Sequence, residues 1–229
     1  MNRIGVKNFL KLFKNPVDWD KIAKKTAKER GVSVAEIKKE WDEATKKGTL
    51  IHSLIQKKDE KEGKNVFSYK YDSIDINEHI NIISEKDSSL NDNTIYLERL
   101  VYSLYYGLVG FPDKIEIKKG YINITEIKTF KRLNRTSPSI KIGTKFIKAK
   151  YNYPLEHLDD CNYVDTILQL SLYMFLVWNS NKKYKIGKLF IRHIITNSSD
   201  EIIEEKYIEV PYLREEVKLM LKYKLKNKL

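Results

Sequence analysis

The 229 residues fit one generous domain, and 41% hydrophobic residues suffice to bury a real core. Forty-three Lys plus Arg against 31 Asp plus Glu leave a net charge of +12, which suits a polyanionic partner because each phosphate neutralised by Lys or Arg releases condensed counterions. The single cysteine, Cys161, excludes an intramolecular disulfide and a cysteine-rich zinc or iron-sulfur site supplied by this chain, and no apolar run reaches the roughly 18 residues of a membrane-spanning helix.

Residues 1–16 are basic and mildly amphipathic, and they lack the apolar centre and small-residue cleavage site of a signal peptide. An intracellular, soluble protein is expected, cytoplasmic or in the host cytoplasm if viral. Asn15-Pro16 ends this docked surface helix, and a second helix over 18–30 is terminated by Gly31. Ser33 starts the next one as an N-cap, with Glu36 completing a capping box, and Ile37, Trp41 and Ala44 share its face. Gly48-Thr49 is expected to interrupt the pattern and to place His52 in the first turn of a further helix. A charged turn is expected at 59–64, then one or two strands over 66–86, a polar loop at 88–93, and strands over 95–101 and 103–109.

Residues 107–132 read as a hairpin with Lys119-Gly120 as its turn. Asp113 opens the first strand, and Glu126 and Lys128 close the second on one shared face. Glu98 lies among Ile95, Leu97 and Leu100; it faces either solvent or the same site as Asp113, and the local sequence leaves both open. Residues 131–153 carry Lys131, Arg132, Arg135, Lys141, Lys145, Lys148 and Lys150 with interleaved Phe146, Tyr151 and Tyr153. That mixture favours a nucleic-acid contact surface over a merely solvated loop. A buried helix is expected over 165–178, with Gln169 and Tyr173 four apart on one face, then strands over 188–196 and 202–210 and a closing helix near 213–223.

Hydrolysis of a phosphodiester needs charge neutralisation, an activated water and stabilisation of the leaving alkoxide. Two carboxylates on adjacent strands can hold a hard divalent ion, with the Ile127 carbonyl as a further oxygen ligand and Lys128 beside the attacking water. In a chain with 32% charged residues the acid, spacer, acid-x-lysine pattern alone is weak. GFPDKIEI and ITEIKTF, however, resemble the signature of the PD-(D/E)XK nuclease superfamily. KKGTLIHSLI, with Gly48 and His52, is similar to the upstream Gly-x-x-x-His motif of its RecB-type branch, which includes phage-type exonucleases. LQLSLYMF, with Gln169 and Tyr173, is similar to the downstream Gln-x-x-x-Tyr motif, and all stand in the family's order.

The resemblance implies an α/β fold, a central mixed β-sheet flanked by helices, with a helical N-terminal region. It implies one nuclease domain over 1–229: a helical part at 1–58, a catalytic core at 66–210 and a C-terminal helix with basic tail at 211–229. Its metal ligands would be His52, Asp113, Glu126 and the Ile127 carbonyl, with Glu98 as a possible additional acid, around Mg2+ or Mn2+. Lys128 would be the catalytic lysine, Gln169 and Tyr173 would orient it or contact the substrate backbone, and Lys131, Arg132, Arg135, Lys145 and Lys148 would meet DNA.

The implied activity is a metal-dependent DNA exonuclease in nucleic-acid processing, repair or recombination, with no membrane partner. The alternative is a catalytically inactive nucleic-acid-binding module of the same fold, which the presence of all three central positions argues against. Two departures stand out. Gln56 replaces an acid that several relatives carry four residues after the His, and the single cysteine excludes the four-cysteine iron-sulfur cluster of others. No phosphate-binding Gly-x-x-x-x-Gly-Lys-Ser/Thr loop is present.

Overall fold

A computed structural model describes residues 3–69, 90–142, 145–197, 199 and 201–228. In chain order the chain begins with β1 (Ile4–Gly5), α1 (Val6–Lys11), α2 (Trp19–Arg30) and α3 (Val34–Glu62). Strands β2 (Val66–Ser68), β3 (Thr94–Leu97), β4 (Val101–Ser103) and β5 (Leu108–Gly110) follow. The expected hairpin is β6 (Lys114–Lys118) and β7 (Tyr121–Lys128), and a small one is formed by β8 (Ser139–Ile142) and β9 (Lys145–Lys148). The long helix α4 (Asn162–Ser180), β10 (Lys185–Thr196), β11 (Ile202–Val210) and α5 (Arg214–Asn227) complete the chain.

The central sheet has six strands in the order β11-β10-β7-β6-β3-β2. It is mixed: β7 and β10 run parallel, as do β2 and β3, and the other pairs are antiparallel. Parallel neighbours need a crossover, and α4 supplies the one between β7 and β10. Alternation decides what each face meets. Ile122 and Ile124 of β7, Ile115 and Ile117 of β6 and Ile191 of β10 join α4, α1 and α5 in the main core. On the other face Ile127 and Ile194 pack against Ile51 and Ile55 of α3. The fold class is therefore α/β with helices on both faces of a mixed sheet.

The hairpin turn forms because Lys119 and Gly120 both take positive φ, 52° and 77°, the geometry that matches the strands' twist. The Ser33 capping box is present, with Glu36 N–H donating to Ser33 Oγ at 3.1 Å and Ser33 N–H to Glu36 Oε2 at 2.7 Å. Gly31 closes α2 at φ 68°.

Several expectations are corrected. No break occurs at Gly48-Thr49, and of the turn expected over 59–64 only Gly63 and Lys64 leave the helix: α3 is continuous for 29 residues, and His52 sits in its middle. One glycine costs a helix only about 1 kcal/mol. Here its missing side chain lets the helix approach the sheet, since a Cβ on Gly48 would stand 3.2 Å from Thr129 Oγ1. The expected strand over 103–109 is two short strands joined by a turn, β4 and β5, which form a separate three-stranded sheet with β1. Tyr151 is buried, its hydroxyl donating to Asp165, so it is no part of an exposed contact surface; Phe146 and Tyr153 are exposed. Of the strands expected over 66–86 the described part contains β2, and 70–86 lies outside the described residues. No helix among the described residues is long and apolar enough to cross a membrane.

Candidate metal centre

The carboxylates meet where β6 begins and β7 ends. Glu126 and Lys128 alternate onto the face covered by α4, as their spacing requires, and Glu126 is fully buried. Its Oε1 accepts from Gln169 Nε2 at 2.6 Å and from Lys128 Nζ at 3.3 Å. Gln169 Oε1 accepts from the same ammonium at 3.1 Å, which fixes the amide's orientation, and Gln169 Nε2 also reaches the Tyr173 hydroxyl at 3.2 Å. Residues one helical turn apart thus act together. Gly110 makes room for the tyrosine: a Cβ there would lie 2.4 Å from Tyr173 Cε1.

Asp113 is buried, and its Oδ2 accepts from the Ile127 amide at 2.6 Å, tying the start of β6 to the end of β7. Its Oδ1 is 3.7 Å from His52 Nδ1, which arrives from α3 on the opposite side of the sheet. Glu98 comes from just beyond β3 in the left-handed region at φ 53°, and its amide donates to the Asp113 carbonyl at 3.2 Å. A non-glycine residue held there costs on the order of 1 kcal/mol and is over-represented at functional sites.

One ligand atom each from His52, Glu98 and Asp113 lie within 4.8 Å of one another, so these three could hold a metal ion. Glu98, for which the sequence left two orientations open, faces the site. Glu126 borders this trio, bonded to Lys128 and Gln169.

Electrostatics make the cluster receptive to a cation. Burial, then repulsion from Glu126 and Glu98, pushes the Asp113 carboxyl well above its ordinary range. Burial and then Glu126 raise Glu98 to about 7. Burial lowers the His52 imidazole, favouring the neutral form whose nitrogen lone pair can bind metal. A divalent ion fits this donor set, since Glu126 Oε2 is buried with no hydrogen-bond partner among the described residues, an unusual state for a carboxylate oxygen.

From Lys128 a cleft of about 330 Å³ runs between α1 and α4, lined by Lys7, Leu10, Lys11, Lys14, Phe130, Asp165, Thr166 and Gln169. Lys7 Nζ is 4.0 Å from Glu126 Oε1. Lys14 is engaged by Asp160 at 2.8 Å and Asp165 at 2.6 Å, leaving Lys7 and Lys11 as the cations the cleft presents from α1. Neither belongs to a sequence motif, although Lys7 and Lys11 stand four apart on a helix whose Val6, Phe9 and Leu10 are buried. Lys131, Arg132, Arg135 and Lys148 are exposed but do not line this cleft; Arg135 lies over the Tyr163 ring at 5.1 Å, and Lys145 lies on β9.

No protein-family model matches the chain, and no curated protein is significantly similar to it. Among solved structures it is similar to the crystal structure of SSO0001, at 14% identity and a TM-score of 0.33, over 100% of this chain and 77% of that one. It is also similar to a candidate exonuclease from Eubacterium rectale, at 17% identity and a TM-score of 0.31, over 66% of this chain and 50% of that one. Likeness at this level carries no argument about activity.

Proposed function

We propose that the chain is a metal-dependent nuclease of the PD-(D/E)XK kind that hydrolyses phosphodiester bonds in DNA, working from strand ends as an exonuclease. The observation that carries this reading is the convergence of His52, Glu98, Asp113, Glu126, Lys128 and Gln169 from five separate segments onto one point, with a buried carboxylate oxygen left unpartnered there. In a structural ion-pair cluster the buried carboxylates are paired; here Glu126 Oε2 has no hydrogen-bond partner among the described residues, and Glu98 and Asp113 are held towards protonation.

Mg2+ or Mn2+ would be held by His52, Asp113, Glu126 and the Ile127 carbonyl, with Glu98 as the additional acid. When bound, such an ion supplies charge against the phosphate oxygens and acidifies water. The protein's own groups do the positioning. Gln169 holds the Lys128 ammonium through one amide atom and the Glu126 carboxylate through the other, so the lysine stays at the cleft mouth rather than collapsing onto the acid alone. There it stands where it can orient a water or meet developing negative charge. Tyr173 limits rotation of Gln169. Lys7 and Lys11 extend positive charge along the cleft, a path for the phosphates flanking the scissile one.

The test is incubation of the purified full chain with end-labelled and internally labelled DNA in Mg2+, Mn2+ or EDTA. Release of nucleotides from ends, in metal only, is expected. Intact DNA and RNA in both metals, with salt-dependent binding retained, would instead make the chain a binding module.

A further inference from the structure

The hairpin turn and the start of β10 meet at the end of the sheet away from the acids, and a second basic surface forms there. Lys118 pairs in register with Tyr121, and Tyr121 with Lys185, so two lysines flank a tyrosine across three adjacent strands. Tyr121 is 43% exposed, and Lys185 Nζ lies 5.8 Å from its ring centroid. Lys118, Lys119, Tyr121, Asn123 and Lys188 line a cleft of about 460 Å³ with Ile186 and Gly187.

This cleft is built by a local departure from regular pairing. The β7·β10 register shifts between Ile186 and Leu189, and the Lys188 amide donates to Asn123 Oδ1 at 2.9 Å. Only glycine fits at the shift, because a Cβ on Gly187 would stand 2.5 Å from both Asn123 Oδ1 and the Ile122 carbonyl oxygen. Bulges of this kind re-aim side chains near sheet ends. Of the neighbouring acids, Glu209 is paired with Lys188 at 2.7 Å and Asp92 accepts from the Gly120 amide at 3.1 Å, while Glu116, the register partner of Asn123, stands on the same face two residues from Lys118.

We infer that this distal cleft is a second nucleic-acid contact, taking a single strand with its phosphates on Lys118, Lys119 and Lys185 and a base against Tyr121. Phosphate neutralisation and base-aromatic stacking are the two sequence-tolerant terms that such surfaces combine. Tyr121 and Glu126 are five residues apart on β7, so at about 3.3 Å per residue the two sites lie on the order of 17 Å apart. Alternation turns Tyr121 to the face of the sheet opposite Glu126, so the distal contact would hold a strand independently of what happens at the acids.

The experiment measures binding of the full chain to a fluorescent 20-nucleotide single strand and to a 20-base-pair duplex, in EDTA so that cleavage plays no part. The variants are Lys118→Glu/Lys119→Glu/Lys185→Glu and, separately, Tyr121→Ala, each checked for unchanged thermal unfolding. The triple variant is expected to bind the single strand at least about tenfold more weakly, with the slope of log K against log salt reduced by roughly 2, since each phosphate contact on a single strand contributes about 0.7. Tyr121→Ala is expected to weaken the single strand by about tenfold and the duplex little. Unchanged affinity and slope in the triple variant would overturn the site. Equal losses on strand and duplex in Tyr121→Ala would overturn the single-strand assignment. Because the readout is binding without metal, failure of the nuclease reading would show separately, as absence of cleavage in Mg2+ and Mn2+.

Discussion

Two clusters of charge lie side by side on the central sheet and are built to opposite rules. On β10, Arg192 is 3% exposed and bonded to Asp59 of α3 at 2.8 and 2.9 Å and to Glu205 of β11 at 2.8 Å. Its register partner on β7 is Ile127, the residue between Glu126 and Lys128. The acids one residue away crowd against one another, raise each other's affinity for protons and leave an oxygen unpartnered. The first cluster fastens the C-terminal half of α3 to the sheet, and the second could hold a metal ion. Burial of charge is therefore not by itself the mark of a functional site; burial without a partner points to one.

The largest effect is expected at Lys128. If its ammonium acts on the reacting phosphate as proposed, Lys128→Ala should lower DNA cleavage by roughly a thousandfold while DNA affinity in EDTA falls only a few-fold. Single-turnover cleavage beside a binding titration decides it.

Removing charge from the fully paired cluster should destabilise. Arg192→Ala strands Asp59 and Glu205 and is expected to cost about 3 kcal/mol. In a chain of this size that is a fall in Tm of roughly 6–12 °C, read by calorimetry. Removing charge from the crowded cluster should do the reverse: Asp113→Asn is expected to abolish the proposed cleavage yet stabilise the metal-free protein by about 1 kcal/mol, since a desolvated carboxylate in repulsion is lost. A destabilised Asp113→Asn would contradict the assignment of strain to these acids.

The pH profile sharpens the same point. Glu98 is raised from 4.5 to about 7 and Asp113 is raised as well, so across that interval the folded protein holds protons that the unfolded chain has released. These two acids should therefore make the metal-free protein less stable as pH rises from about 4.5 through 7, outweighing the single lowered His52 imidazole that opposes them below 6.5, and saturating Mn2+ should restore stability at the upper end. Unfolding curves at fixed salt, with and without the ion, test the sign. The smallest effect is expected at Gly48, where Gly48→Ala introduces a Cβ 3.2 Å from Thr129 Oγ1. A gain in helix propensity opposes that contact, so stability should change by less than about 1 kcal/mol while Mn2+ affinity weakens a few-fold as His52 is nudged outward.

The hairpin, its Lys119-Gly120 turn, the Ser33 cap and the shared face of Glu126 and Lys128 were all legible in the sequence. Each is governed by neighbours within a few residues, through turn dihedrals, capping hydrogen bonds and the two-residue period of a strand. The Lys7 and Lys11 pair of α1 was equally legible, beside the denser basic run at 131–150. Other features had no local signal. Helix α3 runs through Gly48 because tertiary packing on Thr129 outweighs a propensity cost near 1 kcal/mol. Tyr151 sits among lysines in the sequence yet is buried against Asp165 in the fold.

By itself, then, the sequence determined the central hairpin, the last two strands and the caps, and the residue types that a metal-dependent phosphodiester chemistry would need. Only the tertiary structure decided which of them meet. Glu98 turns into the cluster through a backbone conformation, φ 53°, that no side-chain pattern announces. Lys7 reaches Glu126 because α1 docks against α4, across some 120 residues of chain. Such encounters depend on the sum of many weak contacts over the whole core, which is why spacing along the chain could name the participants but not the assembly.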